Sequence, residues 1–198
     1  MRFTAELEEF RYRLSVLGIS YQEDDLKIIA PLLKIKSFKK GDIILQKGEI
    51  CQEVYFIVEG LMRSFDKLPN GNEKTYVICF ENQIFTEHTS FISQKPATEF
   101  LEALEDTEVV FFTYQDLMKV YEISHRFESI GRKLSEINFI TTKNKLITFM
   151  NDDAKKRYEV FLKTYQKVLP RIPQNIISSF LGITPQSLSR LKREMNVH

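Results

Sequence analysis

Cysteine is nearly absent from this chain: Cys51 and Cys79 are the only two in 198 residues. They make neither a disulfide framework nor a metal-ligand spacing, so each reads as a small buried hydrophobe. Long apolar runs are missing as well. None is longer than Val54-Tyr55-Phe56-Ile57-Val58, which falls far short of the roughly 20 residues a membrane-spanning helix needs. The N-terminal stretch Met1-Arg2-Phe3-Thr4-Ala5-Glu6-Leu7-Glu8-Glu9 mixes charges into an amphipathic pattern and lacks the apolar segment of a secretion signal. A cytoplasmic globular protein without membrane contact is expected. Histidine is scarce and dispersed, at His88, His125 and His198. No metal-binding helix, nucleophile motif or glycine-rich phosphate loop surrounds these residues, and Glu87-His88 is a weak pair on its own. Neither catalysis nor a resident cofactor or metal is expected.

What is present is 43% hydrophobic residues, enough for one large or two small packed domains, and a formal net charge of +1. That small number hides an asymmetry. Residues 141–198 hold 11 Lys or Arg against 4 Asp or Glu, net +7, whereas residues 1–140 are net −6. A basic C-terminal section is the electrostatic footprint of a module that meets phosphates, although a solvated basic face would give the same count.

Hydrophobic periodicity divides the chain into three sections. Leu7, Phe10, Leu14 and Leu17 recur at helical spacing, and Leu26, Ile29, Leu32 and Leu33 suggest a second short helix. From Ile35 to about Thr113 come short runs rich in Val, Ile, Phe, Tyr and Thr, punctuated by Lys40-Gly41-Asp42, Lys47-Gly48-Glu49, Glu59-Gly60 and Pro69-Asn70-Gly71-Asn72. The last is a hairpin signal, and turns every 7 to 12 residues favour an antiparallel barrel or sandwich. Phe127, Ile130, Leu134 and Ile137 then repeat at 3-4-3 spacing, with Ile140 and Ile147 carrying an apolar side on to about Met150. Such a stripe is a packing seam, either with the same helix of a second subunit or with the chain's own domain. Asn151-Asp152-Asp153-Ala154 can cap another helix, whose apolar face is Tyr158, Phe161, Leu162, Tyr165, Val168 and Leu169; Pro170-Arg171-Ile172-Pro173 ends it.

The most specific signal runs from Gln174 to Leu191. Two short helices that cross steeply need a small residue where they touch, Ser178, and a residue tolerant of positive φ at the turn, Gly182. Ile177, Leu181, Ile183, Leu188 and Leu191 supply a shared core. Thr184 provides an N-cap oxygen and Pro185 the preset φ of a first helical turn. The outer face of the second helix, Gln186, Ser187, Ser189, Arg190, Lys192 and Arg193, carries no carboxylate until Glu194. This is the pattern of a DNA-binding helix-turn-helix, with Arg171 as a further basic residue ahead of it.

Nearly the whole chain resembles the Crp/Fnr family, the catabolite-activator-like regulators. The resemblance rests on Gly41-Asp42, Gly48-Glu49, Val54 to Gly60 and Gly71 in the middle section, and on Leu181-Gly182-Ile183-Thr184 with Ser189-Arg190 at the end. It implies an α+β chain: an N-terminal antiparallel β-roll sensor over 1–115, a connecting and dimerisation helix over 116–150, and a winged-helix-like DNA-binding domain over 151–198. It further implies a homodimer on a pseudo-palindromic duplex, RNA polymerase as a partner, and a small-molecule effector.

The departures bear on that effector. Cyclic-nucleotide-binding members carry a Gly-Glu pair and, about ten residues later, an Arg followed by Ser or Thr; here the segments read Phe85-Thr86-Glu87 and Pro96-Ala97-Thr98. Thr86 replaces the glycine and Ala97 the arginine. Lys95, two residues earlier, would share a face with Ala97 if the segment were a strand. The expectation is a degenerate pocket near Phe85, Thr86, Glu87, Lys95, Ala97 and Thr98 that does not take cyclic AMP. A protein-interaction module without ligand control and a true cyclic-nucleotide-responsive regulator are the alternatives.

Overall fold

In the computed structural model residues 23–195 are described, so the helix expected around Leu7 to Leu17 lies outside the described residues. The second expected helix is α1, Glu23–Ile29, continued by a 3-10 turn, Ala30–Leu32, that Pro31 initiates.

The strand-rich section forms two four-stranded sheets. One has the order β1-β8-β3-β6 (Lys34–Phe38, Thr107–Thr113, Glu53–Glu59, Ile84–Phe85). The other has the order β2-β7-β4-β5 (Ile43–Leu45, Phe100–Ala103, Leu61–Lys67, Glu73–Phe80). In the first sheet β8 is central: Phe111 lies opposite Lys34 on one side and Tyr55 on the other, both pairings antiparallel. Strand alternation then sorts the side chains onto two faces. Tyr55, Ile57, Val109 and Phe111 meet Leu45, Met62, Cys79 and Leu101 in the roll's interior. Phe56 and Val110 point the other way, onto Ile29, Leu33, Val120, Phe127 and Ile130. Both cysteines are buried and unpaired with each other.

The first of the next two helices has no periodic signal in the sequence, whereas the second begins the span 116–150 expected as one connecting helix, which breaks at Ser124. α2, His88–Ser93, is a six-residue helix between β6 and β7. α3, Tyr114–Ile123, follows β8 directly and starts at a capping box: Thr113 Oγ1 accepts from the Asp116 N–H (3.1 Å), and the Asp116 carboxylate accepts from the Thr113 N–H (3.3 Å).

The expected long helix is α4, His125–Asn151. Its apolar residues are used in two ways. Phe127 and Ile130 are buried within the chain, and Leu134 packs partly against the same cluster. Phe139, Ile140, Leu146, Ile147 and Met150, further along, are exposed. Gly131 marks the close approach to α3, because a Cβ there would overlap the Tyr121 hydroxyl.

α5, Ala154–Tyr165, begins at Asp153, whose carboxylate accepts from the Lys156 N–H at 2.8 Å. It stops five residues before Pro170, and a 3-10 turn, Leu169–Arg171, leads to α6, Gln174–Leu181, and α7, Pro185–Glu194. Tyr158, Phe161, Val168, Ile172, Ile177, Leu181, Leu188 and Leu191 are all buried here.

By contact density the chain divides into two units that do not follow sequence order. The first contains the described residues up to Ser64 with Ile78–Glu136; the second contains Phe65–Val77 with the residues from Ile137 onward. The tip of the β4–β5 hairpin therefore groups with the C-terminal helices, while the strands that lead to it begin in the β-roll.

Candidate nucleic-acid interface

The helix-turn-helix is built by three local devices. Gly182 adopts φ +68° as the residue that ends α6, and its N–H returns to Ser179 O at 3.2 Å. A Cβ at this position would also come within 2.8 Å of the Phe149 ring, so both conformation and space call for glycine. Thr184 caps α7: its Oγ1 accepts from the Ser187 N–H at 3.1 Å and its hydroxyl donates to Ser187 Oγ at 3.0 Å. Ser178, almost fully buried, donates to Asn175 O at 3.0 Å, which satisfies its hydroxyl inside the helix. Leu188 and Leu191 are buried, as are Ile177 and Leu181 in the same unit.

The opposite face of α7 is open. Gln186, Ser189, Arg190 and Arg193 are exposed, with Thr184 exposed at its head. Arg190 is held only loosely, 3.8 Å from Glu194 one turn on, with 70% of its side chain accessible. Lys192 reaches back to Gln174 Oε1 at 3.4 Å, which places its ammonium by the start of α6. Arg171 lies in the 3-10 turn ahead of α6 and is half-buried. The surface thus combines a helix N-terminus with the positive end of its dipole, two exposed guanidinium groups and short hydroxyls.

The expected effector residues are arranged differently. Phe85 and Ala97 are buried in the roll's core. The Thr86 hydroxyl donates to Glu53 O at 3.0 Å and lies 3.2 Å from Cys51 Sγ. Glu87, 5% exposed, is the N-cap of α2: its carboxylate accepts from the N–H groups of Ser90 (2.8 Å) and Thr89 (3.2 Å). Burial pushes the neighbouring His88 imidazole below its ordinary range, with Glu87 opposing the shift. Residues 95–98 are not a strand: Ala97 is tied by main-chain bonds to Gly48 and Glu49 and turned inward, whereas Lys95 and Thr98 are exposed. The face shared by Lys95 and Ala97, expected from strand alternation, does not form. Sequence reasoning missed the capping role of Glu87 because a six-residue helix has too few positions to reveal a period.

Among the described residues no group of three or more His, Cys, Asp or Glu side chains is placed to hold a metal, and no helix is long and apolar enough to cross a membrane.

Comparison with known proteins agrees with this architecture. Residues 35–124 match the cyclic nucleotide-binding domain family. No curated protein matches the sequence. Among solved structures, FixK2 from Bradyrhizobium japonicum superposes with a TM-score of 0.69 at 18% identity, over 83% of this chain and 84% of that one. The c-di-GMP-responsive global regulator CLP from Xanthomonas campestris gives 0.68 at 13% identity, over 88% and 92%. The catabolite activator protein of Thermus thermophilus gives 0.58 at 16% identity, over 91% and 86%. In fold the chain is α+β and similar to these proteins, and its β-roll resembles the cyclic nucleotide-binding domain family.

Proposed function

We propose that this chain is a DNA-binding transcription regulator of the Crp/Fnr type, acting as a homodimer on a pseudo-palindromic duplex. The observation that carries the reading is α7: a capped helix with a buried apolar side, an exposed cationic side and no carboxylate before Glu194. Seated in a major groove, such a helix presents Arg190 to a base edge, where a guanidinium bridges the two acceptors of guanine. Lys192, Arg193 and Arg171 meet phosphates, with Thr184, Gln186, Ser187 and Ser189 beside them. RNA polymerase is a further partner of a regulator of this type. Selection of bound fragments from a random-sequence duplex library by the purified protein tests the reading. A two-fold symmetric consensus is expected; no enrichment over unselected DNA overturns it.

Dimerisation is assigned to the exposed part of α4. Ile140 and Ile147 are seven residues apart and Phe139, Leu146 and Met150 flank them, the spacing of a helical seam. Phe127, Ile130 and Leu134 serve the chain's own core, and Ile137 is half-buried at the change from one use to the other. Ile147→Glu is expected to give monomers in sedimentation with the fold intact, whereas a charge at Leu134 lowers stability first. A wild-type chain that is monomeric at micromolar concentration overturns the assignment.

The effector pocket is read as one that does not accept cyclic AMP. A buried cyclic phosphate needs a charge-assisted partner; Ala97 offers none, and Glu87 places a carboxylate on the N–H groups nearby. A less charged, partly apolar effector suits this surrounding.

A further inference from the structure

The hairpin tip 65–77 is fastened to the helix-turn-helix by bonds that use the edge of a sheet. β5 is an edge strand, and an edge strand presents N–H and C=O groups with no neighbouring strand to pair them. Here a single side chain of α6 takes that place. Ser179 Oγ accepts from the Thr75 N–H at 2.8 Å, donates to Glu73 O at 2.8 Å and lies 3.2 Å from the Thr75 hydroxyl. Residues 73 and 75 present their main-chain groups on the same side of an extended strand, so one hydroxyl satisfies a donor and an acceptor together. Two lysines complete the attachment. Lys145 of α4 donates to Tyr76 O and lies 4.1 Å from the centre of the Phe180 ring, the residue after Ser179. Lys74 of the hairpin lies 4.8 Å from the centre of the Phe149 ring, the same ring that closes on Gly182.

We propose that this hairpin is a latch that holds the helix-turn-helix in a low-affinity resting position and lets go when the module seats on DNA. The inference rests on the DNA-binding reading above. The C-terminal helices are joined to the rest of the chain through α4; Ser179 joins them a second time, through the two strands of the hairpin, which continue into the β-roll at Ser64 and Ile78. Two recognition helices must settle roughly 34 to 36 Å apart on a duplex. A module held at two points reaches fewer positions than one held at a single point, so the latch opposes seating. The contacts named above, hydrogen bonds and cation–π pairs, are individually weak and reversible. Movement of β4 or β5 in the sensor reaches α6 directly along this path, which makes the latch a two-state element that an effector can bias.

The test combines a reversible lock with its removal. In T75C/S179C, oxidation with diamide joins the hairpin to α6 and dithiothreitol frees it; mass spectrometry confirms the bond, and the buried Cys51 and Cys79 serve as internal controls. The oxidised protein is expected to bind a duplex recovered by the wild-type chain at least threefold more weakly than the reduced protein. Ser179→Ala is expected to bind it at least threefold more tightly than wild type and to exchange the Thr75 amide hydrogen faster. A smaller change or the opposite sign in either affinity measurement overturns the latch, as does an unchanged Thr75 amide in Ser179→Ala. If the wild-type chain recovers no duplex, the DNA-binding reading fails, and hydrogen exchange still decides whether Ser179 holds the hairpin.

Discussion

Two helix N-termini in this molecule treat negative charge in opposite ways. At α2, in the β-roll, the buried Glu87 carboxylate occupies the Thr89 and Ser90 N–H groups, so the positive end of the helix is already neutralised from within. At α7, in the C-terminal unit, the cap is the uncharged Thr184, exposed, and it takes only the Ser187 N–H. One end is closed to an outside anion and the other is open. The two ends differ through the choice of a capping residue: an acid fills one from within, and a hydroxyl leaves the other uncharged.

The largest effect is expected where the internal anion is removed. Glu87→Ala leaves two N–H groups of α2 without their acceptor in a buried setting and is expected to cost about 2 kcal/mol of stability in denaturant unfolding. A loss below about 0.5 kcal/mol would show that Glu87 does not cap this helix in solution. Next is Arg190→Ala, with an expected cost of roughly 1 to 3 kcal/mol on a selected duplex and relaxed preference at one base pair. Equal loss on every sequence would demote Arg190 to a phosphate contact. Thr184→Ala follows, at about 1 kcal/mol of stability, with Thr184→Ser restoring it; failure of the serine to rescue would mean that the hydroxyl is not what caps α7. The smallest expected effect is none at all. Titration calorimetry with cyclic AMP or cyclic GMP is expected to give no saturable heat, and a dissociation constant below roughly 10 μM, about 7 kcal/mol of binding, would break the comparison by showing that the α2 end still admits a phosphate.

How much of this was legible in the residues follows the range of the interactions. The helix-turn-helix was readable because its devices are local: Gly182, Thr184 and Pro185 act on their own backbone or on residues three away. The strands were readable as a group through their turns, with Asn70-Gly71 between β4 and β5, where the Leu68 and Asn72 main chains close the hairpin at 2.7 Å. α2 was not legible, since six residues are too few to show a period, a glutamate is not among the usual capping residues, and the burial of Phe91 is a tertiary fact. The division of labour along α4 was hidden for a different reason. A 3-4-3 stripe states that a side is buried without saying by what, and Phe127 and Ile130 turned out to face β3 and β8 of their own chain. The grouping of hairpin tip 65–77 with α6 had no signal at all, because Ser179 reaches main-chain atoms that any sequence would supply.

The missing side chain at Gly131 sets how closely two helices approach. Because α3 lies against α4 at Tyr121 with no Cβ between them, the helix is seated on α3 at this residue, near one end of its 27-residue length. Any larger residue at 131 must drive the Tyr121 ring from its place, so the seat of the first turns of α4 admits hydrogen alone.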